Sequence, residues 1–188
     1  MTLYDDSISF TRLSIDDPYQ FIPNKSLENQ LEETSRQIIE YSTENNVHVS
    51  TAESCTAGLL SATIANIPGA SNVLLGGVCT YNNKIKNQIL HIPYDILEAK
   101  TAVCYEVGYL LAYSSRNLFN SDLSCGITGY AGPGGGTTEN PVGTVYIGID
   151  SIHHQNSFRV SFSGNRLQIR KKSVLFALQK MLLYIQDL

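Results

Sequence analysis

Val47-His-Val-Ser-Thr-Ala-Glu-Ser-Cys-Thr-Ala-Gly58, running on as Leu59-Leu-Ser-Ala-Thr-Ile-Ala65, is the stretch on which the fold turns. Val47 to Ala52 is rich in β-branched residues and predicts a short strand. Glu53 to Gly58 is small and polar and predicts a turn. Leu59 to Ala65 is apolar and helix-like, and Pro68-Gly69 stops it. A strand that turns directly into a helix is the opening of a β–α unit, so the rest of the chain is read for further units of that kind.

Upstream, Leu27 to Asn45 carries Leu27, Leu31, Ile38, Ile39 and Ser42 at helical spacing, with Ser26 as N-cap and Asn45-Asn46 as its stop. Residues 1–25 hold no sustained period and read as an irregular extension to a domain over 26–188. Downstream, Asn72 to Tyr81 predicts a strand in which Gly76-Gly77 marks a bulge or a close backbone approach. Short helices follow at Asn82 to Leu90 and Tyr94 to Ala99, and a longer one at Tyr105 to Asn117. Leu123 to Thr128 is a strand and Gly129 to Asn140 a glycine-rich loop. Val142 to Ile149 and Ser157 to Phe162 are strands that pair across His153-His154, and Asn165 to Ile185 is an amphipathic helix. The order α-β-α-β-α-α-α-β-β-β-α predicts a single α/β domain with a mixed sheet of about five to six strands covered by helices.

Composition narrows the classes of function. With 188 residues, 43% apolar and 16% charged, the chain has the make-up of a globular domain. A formal charge of -4 lacks the basic surplus expected of a nucleic-acid partner. Cys55, Cys79, Cys104 and Cys125 are scattered, without a C-x-x-C pair or a histidine at ligand spacing, so they read as reduced thiols and not as a zinc site. No apolar run reaches membrane-spanning length, and Met1-Thr-Leu-Tyr-Asp-Asp6 is acidic and unlike a signal segment. A cytoplasmic protein with no membrane partner is the expectation.

Two segments carry chemistry. At Ala52-Glu-Ser-Cys-Thr-Ala-Gly58 a serine sits where a strand meets a helix, and free backbone N–H groups there attract anions or a developing oxyanion. On position alone, capping of the next helix is the commoner role for Ser54 or Thr56, and both roles stay open. Gly126 to Thr137 holds six glycines, too many for packing, and suits a loop whose backbone meets a ligand. It matches neither the phosphate loop with its lysine nor the dinucleotide fingerprint. Tyr81-Asn-Asn-Lys-Ile-Lys86 follows a strand end, and either Lys84 or Lys86 is placed to serve a serine nucleophile as base without a histidine. Arg166 and Arg170 stand one helical turn apart, as a phosphate clamp or as a solvent face.

Together these landmarks, with Pro68-Gly-Ala-Ser71, Gly76-Gly-Val78, Thr128-Gly-Tyr-Ala-Gly-Pro-Gly-Gly-Gly-Thr137, Pro141-Val-Gly-Thr144 and Gly164-Asn-Arg166, resemble the C-terminal domain of the competence-damage-inducible protein family, the nicotinamide mononucleotide deamidases. The resemblance runs from about residue 31 to residue 188. It implies hydrolysis of the carboxamide of nicotinamide mononucleotide to the nicotinate mononucleotide and ammonia, with no metal or organic cofactor. It places the nucleophile on Ser54, the lysine on Lys86 and not Lys84, and a third catalytic residue on Thr128. Substrate-binding positions then fall on Glu53, Cys55, Thr56, Tyr81, Asn83, Gly129, Gly132, Gly134, Gly135, Arg166 and Arg170. A homo-oligomer is also implied. Four positions depart from the family pattern. Ala57 replaces a glycine, Asn165 an aspartate that would orient Arg166, Cys104 a capping serine, and Tyr130 a smaller residue that leaves the pocket wider. The alternatives are a hydrolase of another small amide, and a non-catalytic nucleotide-binding or interaction protein of the same fold.

Overall fold

The computed structural model describes residues 14–16, 25–99 and 101–188. Its centre is a mixed sheet of six strands: β1 (Ser14–Asp16), β2 (Val49–Glu53), β3 (Leu74–Cys79), β4 (Leu123–Gly129), β5 (Thr144–Ser151) and β6 (Gln155–Ser161), in the order β1-β6-β5-β4-β2-β3. β3, β2 and β4 are parallel neighbours, while β4–β5 and β5–β6 are antiparallel. The helices are α1 (Leu27–Asn45), α2 (Leu59–Ala65), α3 (Asn83–Leu90), α4 (Tyr94–Ala99), α5 (Tyr105–Phe119) and α6 (Arg166–Ile185).

The α/β reading and its element order hold, with strand ends moved by one or two residues. Gly143 lies at φ +100, and a Cβ on it would meet the Phe162 carbonyl oxygen at 2.1 Å. The strand read from Val142 therefore begins only at Thr144. Within the segment read as irregular, Ser14–Asp16 pairs in parallel with Ser157–Arg159 and adds a short sixth strand. Residues 1–13 and 17–24 lie outside the described residues.

Two apolar layers sandwich the sheet. On one face α1, α2 and α6 bury Leu31, Ile38, Leu60, Val174, Leu178 and Met181 against Val49, Ile127 and Ile147. On the other, α5 buries Val107, Leu110 and Leu111 beside Ala52 and the α3–α4 segment. α5 lies close against the sheet where Gly126 and Gly148 face each other across β4 and β5. A Cβ on Gly148 would lie 2.1 Å from the Gly108 carbonyl oxygen of α5. The close approach expected at Gly76-Gly77 is also present: a Cβ on Gly77 would lie 2.3 Å from Ser61 Oγ, and the β2–β3 register slips at Val49/Ser50. This packing brings the carboxyl ends of three parallel strands to one end of the molecule, where ligands of open α/β sheets bind.

Candidate active site

Ser54 follows the last residue of β2, and its N–H donates to the Ile127 carbonyl of β4 at 2.9 Å. The next residues turn sharply. Ala57 N–H closes onto the Ser54 carbonyl at 3.1 Å, and Ala57 and Gly58 both take positive φ, 49 and 89. Ala57 thus stands where glycine is easiest, the physical meaning of that departure.

The cap that position suggested for Ser54 or Thr56 is supplied by Glu53. Its fully buried carboxylate accepts from Leu60 N at 3.1 Å, Ser61 N at 2.9 Å and Ser61 Oγ at 3.0 Å. The α2 N-cap itself is Gly58, without a side-chain bond. Glu53 satisfies the helix start, and the Ser54 hydroxyl is left for the cleft.

α3 delivers the lysine. Asn82 caps it by accepting from Lys84 N, and one turn later Lys86 points inward, 1% exposed, while Lys84 stays in solvent. Lys86 Nζ lies 3.1 Å from Ser54 Oγ and donates to the Thr80 carbonyl at 2.8 Å. Burial pulls its pKa from the usual 10.5 down to about 8, partly countered by Cys55. Burial pushes the neighbouring Cys55 thiol up to about 12, helped by the Glu53 charge, so Cys55 stays protonated and inert.

The cavity before Ser54 measures about 250 Å³. Of the residues read as site residues it gathers Ser54, Cys55, Tyr81, Asn83, Lys86, Thr128, Gly129, Gly132, Gly134 and Arg166. Arg166, at the start of α6, donates to the Gly132 carbonyl at 2.6 Å and to Tyr81 Oη at 2.7 Å, tying the glycine loop to the end of β3. Asn165 forms a capping box with Gln168, so it fixes the start of α6 and makes no bond to Arg166. Four expected binders do not line the cavity. Glu53 is the α2 cap, and Thr56 is fully buried beneath the turn. Arg170 donates to the Thr56 carbonyl at 2.5 Å, which makes it a brace for that turn. Gly135 at φ +95 turns the loop away, close to the Tyr130 ring.

Ala102, Val103 and Ala131 join the lining without having been singled out, and Tyr130 lines it as its place in the loop suggested. Ala102 and Val103 come from the loop between α4 and α5 and carry no polar side chain, so no sequence signal marks them. A larger cavity, about 550 Å³, opens at the opposite ends of β2 and β4, where Arg116, Asn120 and Asp122 meet Tyr41 and Ile185. It holds no serine–lysine pair. Among the described residues no group of three His, Cys, Asp or Glu is placed to hold a metal, and no helix is long and apolar enough to cross a membrane.

The geometry defines an α/β domain with a buried serine–lysine pair at the carboxyl ends of its parallel strands. The sequence model of the CinA C-terminal domain matches residues 31–185, and the chain belongs to that family. It is 44% identical over 122 residues to a CinA-like protein of Geotalea uraniireducens, covering 65% of this chain and 29% of that protein. It is 42% identical over 135 residues to a CinA-like protein of Thermotoga maritima, covering 72% and 33%. The chain thus matches about a third of the length of these relatives. Among solved structures, the competence/damage inducible protein CihA of Agrobacterium tumefaciens superposes with a TM-score of 0.80 at 30% identity, covering 89% of this chain and 99% of that one. The competence or damage-inducible protein of Enterobacter asburiae gives 0.79 at 28%, covering 82% and 98%.

Proposed function

We propose that this domain is an amidohydrolase that converts nicotinamide mononucleotide to nicotinate mononucleotide and ammonia. The observation that carries the reading is the Ser54–Lys86 pair, 3.1 Å apart and buried, with the lysine tuned toward neutrality. Family membership supports the same chemistry. A neutral Lys86 accepts the Ser54 proton while its own N–H remains on the Thr80 carbonyl. Ser54 Oγ then bonds to the carboxamide carbon. The peptide N–H groups that follow Ser54 on the turn are the donors for the oxyanion. The Lys86 ammonium returns the proton to the leaving nitrogen, the C–N bond breaks, and ammonia departs. Water, deprotonated by Lys86, hydrolyses the seryl ester to the acid and restores Ser54. The substrate phosphate is the natural partner of Arg166, which exchanges its bonds to Gly132 and Tyr81 for a charge-assisted pair.

The test is direct. The purified protein is incubated with nicotinamide mononucleotide, and ammonia and the acid product are measured in equal amounts. Thermal stabilisation by the nucleotide without any ammonia would overturn the amidase reading in favour of a binding protein of the same fold. The pH profile is a second expected result. Because the active base is neutral Lys86, kcat/KM is expected to rise about tenfold per pH unit below pH 8 and to level off above it. A profile that falls between pH 6 and 8 contradicts Lys86 as base.

A further inference from the structure

The buried hydroxyl of Thr128 is committed in a way that bears on which substrates react. Its one proton goes to the Ala102 carbonyl oxygen at 2.6 Å. Thr128 is 1% exposed and lines the same cavity as Ser54 and Lys86. Its place beside the nucleophile is set by the backbone, since Ser54 N–H bonds to the carbonyl of Ile127, the residue before Thr128. A hydroxyl whose proton is spent offers only lone pairs. The neighbouring side chains are engaged differently: Lys86 donates to the Thr80 carbonyl and reaches Ser54, and Tyr81 Oη accepts from Arg166.

We propose that Thr128 is the specificity residue of this site, held by the Ala102 carbonyl as a pure hydrogen-bond acceptor that receives an N–H of the substrate carboxamide and so selects amides over esters and acids. The inference rests on the amidase reading above. An amide nitrogen brings two N–H donors, and one of them satisfies Thr128 while the carbonyl oxygen turns to the opposite donors. An ester oxygen in the same place sets lone pairs against lone pairs. Thr128 can relieve that clash only by giving up its bond to Ala102, a buried carbonyl that then goes unpaired. The acid product meets the same repulsion with a full negative charge, which favours its release.

The experiment compares two substrates that share everything except the leaving group: nicotinamide mononucleotide and the methyl ester of nicotinate mononucleotide. kcat/KM is measured on both for the wild type, Thr128→Val and Thr128→Ser, with thermal unfolding of each. Thr128→Val is expected to lose about 30-fold on the carboxamide and to gain about threefold or more on the ester, because the lone-pair repulsion is removed with the hydroxyl. Thr128→Ser, which keeps the hydroxyl, is expected to stay within about threefold of the wild type on both. If Thr128→Val unfolds, Thr128→Ala carries the same comparison. A parallel fall on amide and ester overturns the inference, because a merely structural threonine affects both alike. A wild type that turns over neither substrate overturns the amidase reading instead, and this inference with it.

Discussion

Lys86→Met is expected to lower ammonia release by about 10⁴-fold while making the protein harder to unfold, an opposition of signs that follows from one buried charge. Lys86 has a folded pKa of about 8 against the usual 10.5. Between those values the unfolded chain binds a proton that the folded one does not, so stability rises with pH across that window. Below about pH 8 the whole penalty stands, about 3 kcal/mol for a shift of this size. Methionine has similar length and no charge, and it removes the penalty. The Thr80 carbonyl loses its partner in exchange, which returns part of the gain. A net rise of about 1–2 kcal/mol, or several degrees in Tm, is expected at pH 7. Ser54→Ala provides the contrast. It is expected to lose activity on the same 10⁴ scale with Tm nearly unchanged, because Ser54 accepts from Lys86 but holds no part of the core. Ammonia-release rates and thermal unfolding measure both quantities. A Lys86→Met protein within tenfold of wild-type turnover would remove Lys86 from the mechanism.

The second large effect lies at the other end of α5. Asp150 on β5 is fully buried, and its carboxylate accepts from Arg116 Nε and from Tyr109 Oη, the latter at 3.1 Å. Burial raises the Asp150 pKa, while Arg116 and Tyr109 oppose that rise. Arg116→Leu leaves the carboxylate with the tyrosine alone. Loss of one partner of a buried pair costs about 3–5 kcal/mol, because the other charge remains desolvated and uncompensated. The sign with pH follows from the direction of the shift. An acid whose folded pKa is raised holds its proton in the native state where the unfolded chain has lost it. Stability therefore falls as pH rises through that interval, and the loss grows once the carboxylate must ionise in the fold. The deficit of Arg116→Leu is expected to be larger at pH 8 than at pH 5. Adding Asp150→Asn is expected to recover most of it, measured by denaturant unfolding of the single and double variants. No recovery in the double variant would mean that lost packing, not the stranded charge, explains the change.

Much of this molecule was legible before folding was considered. The α1 period with its Ser26 cap, the strand–turn–helix at residues 47–65 and the hairpin at His153-His154 are local patterns, and each appears where its residues predict it. The glycine-rich loop was legible for a related reason, since Gly132 takes positive φ and three of its glycines, Gly129, Gly132 and Gly134, form part of the cavity wall. At the start of α2, capping groups compete. Position favoured Ser54 or Thr56 as the helix cap, but a carboxylate reaching from the strand end satisfies two backbone N–H groups at once, and Glu53 prevailed.

By itself, then, the sequence determined the β–α order, the candidate nucleophile at the β2–α2 turn and the loop that faces it, because those depend on propensities and neighbours a few residues apart. The family resemblance chose Lys86 over Lys84, and the tertiary structure supplied the physical reason. Residue spacing left Lys84 and Lys86 level, and only the packing of α3 against the sheet buries Lys86 against Ser54 and leaves its neighbour in water. Tertiary structure alone decided that Arg170 braces the turn from behind and that an alanine carbonyl 26 positions away holds the Thr128 proton. Long-range contacts of that kind have no local signature, since a backbone carbonyl is the same at every residue until the fold aims it.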